Sequence, residues 1–93
     1  MSEAKVARLY RIRGRVQGVG FRYFAEKAAQ QLGVSGWVRN DDDGTVQVYA
    51  VGNREQLAEL AGMLWKGPRW AEVRGVDESE AVPERLSGFS VRQ

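Results

Sequence analysis

The segment from Gly14 to Arg22 combines residue types that are suited to binding an anion. Glycines at positions 14, 18 and 20 permit positive φ and a close approach of the backbone, so that successive amides can point into one concavity. Arg22 follows, where its planar guanidinium can hydrogen-bond the same anion at two points. A glycine-rich turn beside a surface arginine is the alternative that composition leaves open.

Two common nucleotide-binding motifs do not fit this segment. A Walker loop requires Lys and then Ser or Thr after its last glycine, whereas Phe21 follows Gly20. The dinucleotide fingerprint requires a third glycine at the position of Tyr23. We therefore expect neither nucleotide hydrolysis nor NAD binding.

Asn40 is the second candidate, at the end of a predicted strand. Its side-chain amide can orient a polar ligand, because it both donates and accepts hydrogen bonds. An Asx-turn residue that opens a hairpin would have the same position, and both interpretations stay open. The aspartates from Asp41 to Asp43, followed by Gly44, are typical of a solvated turn. No acidic residue follows before Glu55, so a calcium-binding loop is not expected.

The inventory of side chains restricts the possible chemistry. The 93 residues include no cysteine and no histidine. Disulfides, thiolate nucleophiles and Ser-His-Asp triads are thereby excluded, and few ligands are left for a metal site. We therefore expect no metal and no cofactor.

Length and charge indicate one small domain, covering residues 1–93, with a locally positive surface. The net charge is +2, yet residues 1–24 contain six basic side chains and one acidic side chain. Such a field suits a small anion or a nucleic-acid backbone, although a solvated basic strand edge would show the same pattern. No apolar run is long enough to span a membrane and the N-terminus is polar, so we expect a cytoplasmic protein.

Hydrophobic periodicity predicts the elements that position these residues. Alternation predicts strands over 5–13, 34–39 and 45–51, the last two joined as a hairpin, and further strands over 70–77 and 88–92. Apolar residues at spacings of three and four predict a first helix that ends at Gly33. Asn53, with Gln56 three residues later, predicts the start of a second helix, whose buried stripe is Leu57, Leu60, Leu64 and Trp65.

The order β-α-β-β-α-β with a short fifth strand predicts a ferredoxin-like α+β sandwich. In this fold an antiparallel sheet carries both helices on one face. Such sheets can bind RNA through aromatics on the two central strands, but those strands offer only Tyr10 and Tyr49. We therefore expect no nucleic-acid partner, and we place Trp37, Trp65 and Trp70 in the core or at its edge.

The chain resembles the acylphosphatases over nearly its whole length. The resemblance rests on the loop GRVQGVGFR, the segment GWVRNDDDGTV and the later Gly67-Pro68, in that family's order and spacing. It departs from many relatives at Arg69-Trp70, which they replace with small or proline residues.

The resemblance implies an acylphosphatase, which hydrolyses acyl phosphates to a carboxylate and inorganic phosphate without a metal or a phosphoenzyme. It implies that Arg22 and Asn40 are catalytic and that Asn40 positions the attacking water. The implied phosphate-binding residues are Gln17, Gly18, Val19, Gly20, Phe21 and Arg22. The expected partners are a small acyl phosphate, as substrate, and inorganic phosphate, as a competitive inhibitor. We expect a monomer that does not bind membranes. The alternative is a non-catalytic anion-binding or regulatory module.

Overall fold

A computed structural model describes residues 4–93, which form five strands and two helices. The first half contains β1 (Val6–Arg15), α1 (Phe21–Leu32), β2 (Ser35–Asn40) and β3 (Val46–Gly52). The second half contains α2 (Arg54–Lys66), β4 (Glu72–Ala81) and β5 (Phe89–Arg92). The ferredoxin-like order predicted from the sequence is confirmed, with β4 running four residues further than expected.

The five strands form one sheet in the order β4-β1-β3-β2-β5. The pairs among β1, β2, β3 and β4 are antiparallel, as predicted, whereas β5 lies parallel to β2. The exception arises because residues 82–88 carry the chain from one edge of the sheet to the other. They reach the start of β2, where the Gly36 amide donates to the Gly88 carbonyl at 3.0 Å. The sheet is therefore mixed.

The core lies between the sheet and the two helices. Inward-facing strand residues alternate along β1 and β3, and the helices contribute small and aliphatic side chains. The buried set includes Tyr10, Ile12, Val46, Val48, Ala50, Ala25, Ala28, Leu57, Leu60 and Leu64. The Tyr10 hydroxyl enters this core and donates to the Leu57 carbonyl at 3.1 Å. Packing of their apolar side chains in this core holds both helices on the same face of the sheet.

Two of the three tryptophans do not occupy the positions expected from the sequence, whereas Trp37 packs at the edge of a second buried cluster. Trp65 is 52% exposed and Trp70 is 72% exposed, so placing them in or beside the core was wrong. Leu64 is the last residue of the buried stripe of α2. Trp65 follows it and is rotated by about 100° around the helix, so its side chain faces away from the core. Trp37 lies on the opposite face of the sheet, stacked on Tyr49 at 5.7 Å between ring centroids. Across residues 4–93, no helix is long and apolar enough to span a membrane.

Candidate active site

The loop between β1 and α1 begins just beyond a strand irregularity. The pairing of β1 with β4 shifts register between Arg13 and Gly14, and β1 then continues to Arg15. Val16 and Phe21 are buried at the two ends of the loop and anchor it to the core. Between these anchors, Gly18 and Gly20 adopt φ of 73° and 79°, a left-handed conformation that favours glycine. The loop is therefore a fixed turn and not a solvated linker.

The N-terminus of α1 has no capping group of its own. Its N-cap residue is Gly20, which has no side chain to accept a hydrogen bond, and its first turn contains no acidic residue. By contrast, α2 has a complete capping box, in which Asn53 and Gln56 bond each other's backbone amides. The first amides of α1 thus keep their donor capacity, and the helix dipole adds a positive potential there. This end of α1 is suited to an anion.

Arg22 places a second positive group at the same end of α1. A cation in the first turn opposes the helix dipole, so the position is unfavourable without an anion nearby. The half-buried side chain donates one hydrogen bond, from Nη1 to the Arg92 carbonyl at 3.4 Å. Among residues 4–93, no carboxylate lies within ion-pair distance of Arg22. Its guanidinium therefore keeps most of its donors for a ligand.

Asn40 is the last residue of β2, and its side chain is half-buried. The neighbouring turn is closed by other groups: the Thr45 amide and hydroxyl both donate to Asp43 Oδ1, at 3.0 and 2.6 Å. The Asp41 amide also donates to the Thr45 carbonyl at 2.8 Å. Within the described part of the chain, the Asn40 side chain takes no part in the hydrogen bonds that close this turn. That arrangement favours the ligand-orienting interpretation of Asn40 over the turn-forming one.

These groups meet in one surface cavity of about 310 Å³. Its lining includes five of the residues singled out from the sequence, and helix α1 and strand β5 complete the wall. The predicted residues at the cavity are Gly18, Gly20, Phe21, Arg22 and Asn40. The additional lining side chains include Tyr23, Glu26 and Val91. The fold thus brings the glycine-rich loop, the arginine and the asparagine together.

The side chains of Gln17 and Val19 do not line this cavity. Val19 packs against the core. Gln17 Nε2 donates to the carbonyls of Asp41 and Thr45, at 2.8 and 2.9 Å, and so joins the loop to the turn that follows Asn40. At both positions, therefore, only the backbone amide is available to donate a hydrogen bond to an anion. Sequence reasoning missed this link, because no local pattern reports partners that lie 24 and 28 residues away.

Acidic residues do not assemble into a metal-binding group near the cavity. Within residues 4–93, no cluster of three or more Asp, Glu, His or Cys side chains is placed to hold a metal ion. The consecutive aspartates are used instead in the β2–β3 turn, where Asp43 also pairs with Arg11. The donors available at the cavity are therefore backbone amides, the Arg22 guanidinium, the Tyr23 hydroxyl and the carboxamides of Asn40 and Gln93.

Comparison with known proteins adds independent evidence. The family model described as acylphosphatase matches residues 8–91. An acylphosphatase of Solibacter usitatus is 57% identical over 86 residues, covering 92% of this chain and 90% of that protein. A second relative, an acylphosphatase of Koribacter versatilis, is 52% identical over 98% of this chain and 84% of its own length.

Solved structures agree with the sequence comparisons. The structure of an acylphosphatase from Coxiella burnetii superposes with a TM-score of 0.91 at 39% identity, covering 95% of this chain and 93% of that one. The family match spans residues 8–91 and so includes both long motifs, which contain Gly18, Gly20, Arg22 and Asn40 of the cavity. On this evidence the chain belongs to the acylphosphatase family.

Proposed function

We propose that this acylphosphatase binds the phosphate group of its substrate in the loop from Gln17 to Arg22 and hydrolyses the carboxyl–phosphate bond with a water held by Asn40. The observation that carries the proposal is the convergence of an uncapped helix N-terminus, Arg22 and Asn40 on one cavity. Residues 1–93 would supply the whole site as a single domain. The loop, Arg22 and Asn40 lie within one chain, so a monomer would be sufficient to form the site, and we propose that state.

The backbone amides and Arg22 supply what phosphoryl transfer requires. Its transition state is loose, and negative charge spreads over the three equatorial oxygens of the transferred group. Donors that are already oriented toward those oxygens stabilise that charge without reorganising during the reaction. The amides at the start of α1 are held by the helix, and Arg22 offers a planar pair of donors beside them. Positioning and electrostatics therefore supply the catalysis.

Asn40 has the chemistry to orient water but not to deprotonate it. Its carboxamide oxygen accepts a hydrogen bond from a water molecule, while its nitrogen has no basic lone pair. In the proposed step the water oxygen forms a bond to phosphorus as the bond from phosphorus to the acyl oxygen breaks. The leaving carboxylate is a weak base and needs no acid to protonate it. The water proton passes to an oxygen of the phosphate.

This mechanism uses no metal and no cofactor, and it makes inorganic phosphate both a product and a competitive inhibitor. The direct test is the hydrolysis of benzoyl phosphate, followed by absorbance, with and without EDTA. We expect turnover that chelation leaves unchanged and that inorganic phosphate inhibits by raising KM alone. Loss of turnover on chelation, with recovery on adding Mg²⁺ or Zn²⁺, would overturn the mechanism. Phosphate binding without any turnover would instead favour the anion-binding module.

A further inference from the structure

The face of the sheet that is turned away from the helices carries two arginines beside an indole ring. Trp37 and Arg39 are two residues apart on β2, so both side chains lie on this face. Arg92 on β5 is paired directly with Arg39. The guanidinium carbons of Arg39 and Arg92 lie 5.5 and 5.1 Å from the centroid of the Trp37 ring. The ring therefore keeps two cations close together on one exposed surface.

These two arginines differ from others on the same face in having no acidic partner. Arg11 and Arg13, on β1, each pair with an aspartate. Among residues 4–93, no carboxylate lies within ion-pair distance of Arg39 or Arg92. Like charges that lie directly opposite each other on neighbouring strands repel and destabilise a sheet. Cation–π attraction to the indole offsets part of this repulsion, and an anion bound between the guanidiniums would offset the rest.

Both guanidiniums keep hydrogen-bond donors for a ligand. Arg39 donates from Nε and Nη2 to the side-chain oxygen of Gln47, at 3.2 and 3.0 Å, which leaves Nη1 available. The guanidinium of Arg92 donates to no acceptor among the described residues, and its backbone carbonyl is the group that accepts from Arg22. Planar guanidiniums match the oxygens of a phosphate, which accepts several charge-assisted hydrogen bonds at once. The chemistry of the pair is therefore suited to a phosphate group.

We propose that Arg39 and Arg92 form a second anion-binding site, which takes free phosphate on the sheet face opposite the helices. The site is distinct from the cavity, whose lining includes neither arginine. Both guanidiniums would donate to one phosphate ion, while the Trp37 ring keeps them in place. The inference does not depend on the proposed function, because no step of the hydrolysis uses these two side chains.

A titration with inorganic phosphate, followed residue by residue by NMR, tests this site separately from the cavity. The backbone amide of Gly20 reports the cavity, and the indole N–H of Trp37 reports the arginine pair. We expect both signals to shift, each with its own dissociation constant, whereas sodium chloride at equal ionic strength should leave the indole signal unshifted. Arg39→Gln should weaken binding at the indole about tenfold or more, because a charge-assisted donor is lost. The Gly20 curve should stay unaltered in this variant.

Two further variants serve as controls. Arg22→Lys should weaken binding at Gly20 and leave the indole curve unaltered. Arg13→Gln removes an equal charge from the same face, but from an arginine that has an aspartate partner, and should alter neither curve. An indole curve that follows Gly20 in every variant would overturn the second site, since the ring would then report the cavity through Arg92. The absence of an indole shift beyond the chloride control, or equal weakening in Arg13→Gln, would also overturn it.

Discussion

Gln17 offers a sharp test of how the phosphate loop is held, and Gln17→Met is the perturbation we select. Methionine has a similar length and no branching, so it fills much the same space without the amide. The substitution removes the hydrogen bonds from Nε2 to the carbonyls of Asp41 and Thr45. It leaves the glycines of the loop and the N-terminus of α1 unaltered.

The expected loss of stability depends on the hydrogen bonds that those two carbonyls still accept in the variant. The Asp41 carbonyl still accepts from the Gly44 amide at 3.1 Å, and the Thr45 carbonyl still accepts from the Asp41 amide at 2.8 Å. Neither acceptor is left unsatisfied, so the cost is two net hydrogen bonds. At about 0.5–1.5 kcal/mol each, we expect the free energy of unfolding to fall by about 1–3 kcal/mol. Loosening the loop relative to Asn40 should also lower kcat/KM, by up to about 10²-fold for a displacement near 1 Å.

The assay pairs urea denaturation with benzoyl phosphate kinetics on the same preparation. Gln47→Met is the matched control, because Gln47 accepts its hydrogen bonds from exposed Arg39 at 3.0 and 3.2 Å, away from the cavity. We expect the control to change stability by no more than about 0.5 kcal/mol and to leave the kinetics unaltered. Wild-type kinetics in folded Gln17→Met would refute the idea that this link positions the loop.

Two further predictions concern Arg22 and Tyr10. Arg22→Lys keeps the charge but loses the two-point donor geometry, so kcat/KM should fall about 10²-fold or more with little change in stability; near-native kcat/KM would show that charge alone suffices. Burial raises the pKa of Tyr10 above its ordinary value of 10.0, aided by the charge of Glu78. Above pH 10 the unfolded chain therefore releases a proton that the folded chain retains, and stability falls as pH rises. Tyr10→Phe should be about 1 kcal/mol less stable at neutral pH, and its stability should lack the fall above pH 10 that the Tyr10 hydroxyl causes. Plotted against pH, the free energies of unfolding of the wild type and the variant should therefore converge above pH 10. Parallel plots would contradict the assignment.

The elements were predictable because their signals are local. Alternation in β1 and β3, the glycine at the end of α1 and the Asn53–Gln56 pair each lie within a few residues, and each has the predicted structural role. The candidate site was predictable for the same reason, since Gly18, Gly20 and Arg22 are close in sequence. Asn40 could be predicted from the expected end of β2, because it lies where that strand meets the β2–β3 turn.

The remaining features depend on distant parts of the chain. The parallel pairing of β5 is decided by where residues 82–88 cross the sheet, and Tyr49 fixes that crossing through hydrogen bonds to Val82 and Glu84. The link from Gln17 to the β2–β3 turn has no signature in spacing. The exposure of Trp65 and Trp70 could not be deduced from hydrophobicity, which predicts burial for both.

The central claim is that Asn40 holds the nucleophilic water while the loop and Arg22 hold the phosphate. The most direct measurement is kcat of Asn40→Ala for benzoyl phosphate, taken together with inorganic phosphate affinity and denaturant melts on the same sample. Removal of one preorganised polar group should lower kcat by about 10²–10³-fold. Phosphate affinity should barely change, and the free energy of unfolding should fall by no more than about 1 kcal/mol. A folded Asn40→Ala protein that hydrolyses benzoyl phosphate at the wild-type rate would contradict the claim, as would a rate loss that only tracks the fraction unfolded.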